Sequence, residues 1–376
     1  MAGRVGVDGF EAINWRRHHN FCSLSTTIRQ PAQRQLTASL PLILQRQLGT
    51  IMRTASISSE ASVTTYKGST QEFVVISEIA AGGYGAVYKV RGSTGGIFAL
   101  KLEKRAPKRD HYKLQMEVRM LQAAAKGKPE QREHLPTLID HSEPHSTSSS
   151  MFIVMTLLGK SLGDIKRGYR KRIFSANTAY YCAIQAIDAI KEMHELGFLH
   201  RDIKPANFVI GAPGSRNANT VYVVDYGIAR KFLDQNGSML TPRRKIKFKG
   251  TVRFAPVTMH KMEELGRKDD CESWVYMVVD MVNENRLPWH MITDVDEVER
   301  MKKSAIANPR TLFRSDEERE FCDIIKYLEE KHYVDKIDYL WIREMVKRVA
   351  KRRNCNLKEP YDWQKKKNTS SRTMSK

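Results

Sequence analysis

The order in which hydrophobic periods follow one another constrains this chain more than any other feature. Phe73, Val74, Val75, Ile76 and Ile79 read as a strand, Val87 and Tyr88 as a second, and residues 97–102 as a third. Residues 112–125 then repeat at the helical period and stop at Gly127, a natural C-terminal cap. Ser175 stands where it can cap a long helix whose Ala183, Ile184, Ile187 and Ile190 form one apolar stripe, ending near Gly197. Helical patterns dominate from there to about Val349, and no internal repeat is present. Strands first and helices after predict an α+β chain, a small sheet-rich lobe followed by a larger helical one.

Several polar residues sit where that pattern calls for apolar ones. In the third strand, the two-residue period puts Ile97, Ala99 and Lys101 on one face. A lysine inside an apolar strand needs a partner, because an unpaired buried ammonium is expensive. The following helix offers one, since Leu114, Glu117 and Leu121 share a face and Glu117 therefore points inward. Upstream, the turn Ala80-Ala81-Gly82-Gly83-Tyr84-Gly85 lets backbone N–H groups approach phosphate oxygens. Taken alone, that turn is an ordinary hairpin and the Lys101–Glu117 couple an ordinary ion pair.

Two further segments change their meaning. Phe198-Leu199-His200-Arg201-Asp202-Ile203-Lys204-Pro205-Ala206-Asn207 follows a helix end directly, and Val221-Tyr222-Val223-Val224-Asp225-Tyr226-Gly227 is a strand ending in an acid at a glycine turn. Phosphoryl transfer needs a positioned base, a cation near the moving phosphate and oxygen ligands for magnesium. Asp202, Lys204 and the pair Asn207 and Asp225 fit those roles in order.

On these residues the chain resembles the eukaryotic protein kinase family, with HRDIKPAN as catalytic loop, Asp225-Tyr226-Gly227 as the D-F-G turn and Lys101 as the V-A-I-K lysine. Within it the chain resembles the casein kinase I superfamily, and most closely its tau-tubulin kinase-like branch, through HELGFLHRDIKPANF, FKGTVRFA, GRKDDCES, LPWH and EPYDWQK. The resemblance implies a two-lobed kinase fold over residues 71–365 that binds ATP and Mg²⁺ in the interlobe cleft. It implies that Ile79, Ala80, Ala81, Gly82, Gly83, Tyr84, Gly85, Ala86 and Val87 cover the triphosphate, with Val87 and Ala99 about the adenine. Lys101, held by Glu117, would contact the α- and β-phosphates. Met155 would be the gatekeeper, with Thr156 and Leu158 as the hinge. Asp202 would accept the substrate hydroxyl proton, Lys204 would neutralise the γ-phosphate, and Asn207 and Asp225 would bind the metal. Lys204 and Thr251 imply serine and threonine as acceptors. Two departures matter: Ala80 replaces the first loop glycine and stiffens it, and Tyr226 adds a hydroxyl that needs a partner; the usual A-P-E is absent, and Ala255-Pro256-Val257 stands where the casein kinase I superfamily has its own variant.

Charge points to the partner. The chain carries 63 Lys and Arg against 42 Asp and Glu, a formal net charge of +21 with pI near 9.7. Between Asp225 and Arg253 lie Arg230, Lys231, Arg243, Arg244, Lys245, Lys247, Lys249 and Arg253 against Asp234 alone. Such a field concentrates anions. The resemblance implies an anion site at Arg253, with Lys247 and Lys249 nearby, for acidic or already phosphorylated protein substrates. A second basic run, from Arg343 to Arg353, reads as a solvated helix face. Five scattered cysteines without a C-x-x-C pair argue against a disulfide framework or zinc site and for a reducing compartment, cytoplasmic or nuclear. No run of eighteen apolar residues is present to span a membrane.

Residues 1–70 are Arg- and Ser-rich and acid-poor, which suits a disordered basic arm, a mitochondrial transit peptide or an extension upstream of a true start at Met52. Residues 366–376 read as a disordered tail. Two rival functions remain at this point: a pseudokinase scaffold, which would need a missing catalytic group, and a nucleic-acid or acidic-lipid binder using the same fold, motivated by the +21 charge and tested by salt-dependent binding.

Overall fold

The computed structural model describes residues 64–82, 85–105, 112–129, 132–142, 150–283 and 287–365. The arm through residue 63, Gly83, Tyr84 and the tail from 366 lie outside the described residues. Six antiparallel strands come first: β1 (Thr65–Lys67), β2 (Glu72–Gly82), β3 (Gly85–Gly92), β4 (Ile97–Lys104), β5 (Leu138–His141) and β6 (Ser150–Thr156), in spatial order β1-β2-β3-β4-β6-β5. Helix α1 (Lys113–Lys126) lies between β4 and β5 in the chain and packs on the sheet. Phe73, Val90, Leu100, Phe152 and Val154 form the core of this lobe.

Two expectations shift here. The domain boundary drawn at residue 71 falls inside the sheet, because β1 pairs with β2 and the Asp140 carboxylate binds the backbone and hydroxyls of Ser69 and Thr70. Three residues are too short to show a period, so this strand left no signal. Part of the segment read as a glycine turn is strand instead. Strand β2 continues to Gly82, pairing Ala80 with Val87, Ala81 with Ala86 and Gly82 with Gly85, after register shifts at 75/77 and 78/80. Those bulges let the strand bend over its neighbour.

The helical part contains β7 (Leu158–Ser161), α2 (Leu162–Arg167), α3 (Ala176–Glu195), β8 (Phe198–Leu199), β9 (Phe208–Gly211), β10 (Val221–Val223), β11 (Arg230–Lys231), α4 (Val257–His260), α5 (Arg267–Val282), α6 (Val295–Ala307), α7 (Arg319–Glu329) and α8 (Tyr339–Arg352). Ser175 caps α3 as its position suggests, its hydroxyl accepting from the Thr178 N–H. Helix α5 is buried along almost its whole length, with Trp274 fully enclosed, and α3, α7 and α8 gather around this centre.

The last described residues return to α3. The Asp362 carboxylate accepts from the backbone N–H and hydroxyl of Ser175 at 2.7 and 2.6 Å, and Tyr361 donates to the Asn219 carbonyl at 2.8 Å. Trp363 stacks on Tyr361 and meets Phe174 edge-on.

The second basic run is only partly a solvated face. Lys347 pairs with Glu344 on the surface, but Arg352 reaches Glu320 at 2.5 Å, Arg353 reaches Glu318 at 2.6 Å and Arg343 approaches Asp188. These acids come from α3, α7 and the turn before α7. Sequence spacing along one helix cannot reveal them.

Candidate active site

Cross-strand register assembles one wall. Val87 lies opposite Lys101 and Ala99 opposite Met155, so these four residues share a face of the sheet. Gly85 comes so close to β4 that a Cβ there would meet the Leu102 carbonyl oxygen, which bars any side chain. Thr156, at the end of β6, donates its N–H to the Thr137 carbonyl at 3.0 Å, and Leu158 opens β7.

Lys101 joins this wall to everything else. Its Nζ lies 2.6 Å from Glu117 on α1 and 3.0 Å from Asp225 beyond β10. Glu117 is 1% exposed, on the inward face shared with Leu114 and Leu121. Burial pushes the Glu117 carboxyl up to about 7, with Lys101 opposing. Burial also works against the charge on Lys101, but Glu117 and Asp225 outweigh it and hold the ammonium above its ordinary value. The Lys101 charge pulls Asp225 down to about 2 against the cost of burial.

The second wall is the loop after β8. Lys204 Nζ lies 2.6 Å from Asp202 Oδ2 and 2.9 Å from Thr251 Oγ1, and the Thr251 hydroxyl donates to Asp202 Oδ1 at 2.8 Å. This closed triangle fixes both carboxylate oxygens. Asn207 donates its amide to the Asp202 carbonyl at 2.8 Å, so the amide oxygen is the end that this bond leaves open. His200 accepts the Asp202 N–H at Nδ1, so its Nε2 carries the hydrogen donated to the Val224 carbonyl at 3.0 Å. That ring ties the Asp202 loop to the Asp225 turn.

Asp270, fully buried on α5, holds the loop from beneath, accepting the N–H groups of His200 and Arg201 at 2.7 and 2.8 Å and bonding His194 at 2.9 Å. Arg201 and Asp225 both take the left-handed backbone, with φ of 67° and 69°. Non-glycine residues accept this strain where the surroundings over-determine them. Gly250, with φ of +92°, has no room for a Cβ beside the Arg201 carbonyl. The Tyr226 hydroxyl finds its partner, donating to the Val223 carbonyl at 2.6 Å.

Residues 73–355 match the protein kinase domain family. The chain belongs to the protein kinase family. Among its relatives is the putative serine/threonine-protein kinase ZK507.1 of Caenorhabditis elegans, 34% identical over 270 residues, 71% of this chain and 78% of the relative. The putative serine/threonine-protein kinase ZK507.3 of the same organism is 32% identical over 305 residues, 78% of this chain and 74% of the relative. The serine/threonine-protein kinase spe-6, also of Caenorhabditis elegans, is 28% identical over 308 residues, 80% of this chain and 78% of the relative.

The kinase's basic segment is partly neutralised from outside. Glu264 pairs with Arg243 at 2.5 Å and with Arg230 at 3.4 Å. Burial and the charges of Arg201, Arg243 and other cations lower the Lys249 ammonium. Arg253 is exposed and donates to the His290 carbonyl at 2.9 Å. Among the described residues, no helix is long and apolar enough to cross a membrane.

Asp270 is the supporting residue that periodicity could not single out. It lies in the quoted stretch GRKDDCES, on a helix buried all round, where a polar residue has no face to betray it.

Proposed function

We propose that this kinase transfers the γ-phosphate of magnesium-bound ATP to serine or threonine hydroxyls of acidic or phosphate-primed proteins, as a casein kinase I-like enzyme of the tau-tubulin kinase-like kind acting in the cytoplasm or nucleus. The observation that carries the reading is Lys101, bonded at once to Glu117 in the sheet lobe and Asp225 in the helical one. A pseudokinase would lack a member of this set, and none is missing. The serine/threonine class is the one its relatives share by description.

Bound ATP supplies the phosphoryl group, and magnesium its charge neutralisation. The Asp225 carboxylate and the Asn207 amide oxygen are hard oxygen donors of the kind magnesium takes. Lys101 contacts the α- and β-phosphates, and residues 79–87 cover them. The Thr156 N–H is taken by the Thr137 carbonyl; the backbone of Thr156 and Leu158 would form the hinge beside the adenine, with Met155 as gatekeeper. Asp202, oriented by Lys204 and Thr251, accepts the proton of the attacking hydroxyl. Lys204 lies two residues on and neutralises charge on the moving group.

Arg253, with Lys247 and Lys249, forms the anion site for the substrate. Replacing all three by Ala should raise KM for an acidic peptide on the order of tenfold, since exposed ion contacts contribute about 0.2–1 kcal/mol each. A neutral peptide should change little, and added salt should erase the difference. Equal losses on both peptides would refute the anion site.

A further inference from the structure

Backbone groups of residues 252–257 are bound by side chains from elsewhere in the helical lobe. Lys302, on α6, is fully buried. Its Nζ lies 2.7 Å from the Val252 carbonyl, 2.5 Å from the Ala255 carbonyl and 3.1 Å from His260 Nε2. Trp289 Nε1 donates to the Arg253 carbonyl at 2.8 Å. Glu272, on α5, accepts the Val257 N–H at 2.8 Å and the Tyr276 hydroxyl at 2.7 Å. Three carbonyls and one N–H of a six-residue stretch are thus held by side chains from other elements.

An ammonium has three donors, and here each has an acceptor. The Tyr276 and Trp289 rings lie 5.3 and 5.5 Å from the same nitrogen. Filling the same volume with apolar side chains is often neutral or stabilising, so burial of this charge is poorly explained by stability alone. Its bonds converge on the backbone at either side of Arg253, in a stretch where Val257 has replaced the A-P-E carboxylate and Glu272 reaches in from α5.

We propose that Lys302 is a positioning residue for the protein substrate: it sets the backbone of residues 252–255 and through it the direction of the Arg253 side chain. This rests on the reading that acidic substrates dock at Arg253. Lys302 touches no nucleotide-site residue, so its effect belongs to KM for the peptide and not to KM for ATP.

The groups facing Lys302 make the arrangement sensitive to pH. Burial pushes its ammonium down to about 7, with Glu272 opposing. His260, held at about 4 by burial and then by Lys302, stays neutral beside it. Burial raises the Glu272 and Tyr276 groups across from it, and Glu299 and Lys303 on its own helix act on His260. Above about pH 7 Lys302 loses its third hydrogen and its charge, and the hold on the carbonyls weakens. Fold stability moves the other way. An unfolded lysine binds more protons between about 7 and its ordinary value, so stability rises with pH across that window.

The test uses the full-length kinase and a peptide whose Asp and Glu side chains do not titrate between about pH 6 and 9. For the wild type, KM for this peptide should rise from pH 6.5 to 8.5 while KM for ATP does not. At pH 6.5 Lys302→Met should raise peptide KM about tenfold, the worth of a charge-assisted bond, keep KM for ATP within about twofold, and abolish the pH rise. A flat wild-type profile overturns the proposal even if the variant does not fold. So does a Lys302→Met enzyme that melts lower yet keeps its peptide KM. Arg253→Ala separates the two readings. If it leaves peptide KM unchanged, docking at Arg253 falls and the positioning role through Arg253 falls with it, whatever Lys302→Met does. If it raises peptide KM while Lys302→Met does not, the role of Lys302 alone is removed.

Discussion

Glu117→Gln separates catalysis from stability at this site. The ionised carboxyl has been shifted from an ordinary 4.5 to about 7, so keeping it charged in the fold costs about 3 kcal/mol. Glutamine has the same shape and removes that cost. Breaking a buried ion pair usually costs about 3–5 kcal/mol, but here Lys101 keeps Asp225 at 3.0 Å and its side chain is 26% exposed. The two effects nearly cancel, and the melting temperature should move by no more than a few degrees. Catalysis has no such cancellation. Lys101, left with Asp225 as its partner, draws on the carboxylate assigned to magnesium and leaves the phosphates. Loss of one charged positioning bond, about 2–3 kcal/mol, lowers kcat/KM for ATP roughly 30- to 150-fold. The assay is initial rate against ATP concentration at about pH 8, with thermal melts in parallel. The folded carboxyl lies above its unfolded value, so its contribution to stability is full at low pH and is lost as pH rises through about 7. Activity follows the opposite course in the wild type, falling as pH drops through about 7 and the carboxyl protonates, and Glu117→Gln should lack that limb. Wild-type kcat/KM in the variant would refute the argument, as would an activity loss matched by an equal loss of fold.

Asp202→Asn should lower kcat about 10²- to 10⁴-fold, the usual worth of a general base, while ATP affinity measured by titration is unchanged; retention of most activity would contradict the assignment. Tyr226→Phe removes the hydroxyl bonded to the Val223 carbonyl and should lower unfolding free energy by about 0.5–1.5 kcal/mol in a denaturant titration. Its kinase activity should stay within about twofold of the wild type, and an unshifted unfolding midpoint would show that the hydroxyl's bond contributes nothing.

The parts of this molecule that could be read in advance are those where a local rule is broken. Lys101 and Glu117 each violate an apolar face, and the fold brings them together. Ser175 and Gly127 flank helices at positions whose backbone groups need such residues. What stayed hidden depends on distance in sequence. Lys302 sits on an amphipathic helix of mixed charge, where nothing marks it as buried until Val252 and Ala255 are seen beside it. Arg352 and Arg353 read as one more pair of surface cations because Glu320 and Glu318 lie more than thirty residues away. Asp270 is concealed in a helix enclosed on all sides. Periodicity identifies which face of an element is buried, and it is silent once every face is.

The return of Tyr361, Asp362 and Trp363 to the start of α3 makes the length of the chain a determinant of activity. A form cut just before Tyr361 would keep every residue named for phosphate transfer. It would nonetheless expose Phe174, open the bonds at Ser175 and remove the Tyr361 bond to the Asn219 carbonyl. Helix α3 runs from that end directly into the strand before His200. Loosening its first turn would weaken the helix that leads into the Asp202 loop, without removing a single site residue. Proteolysis at this margin would therefore act as a remote inactivation, detectable as a lowered melting point before any change in nucleotide affinity.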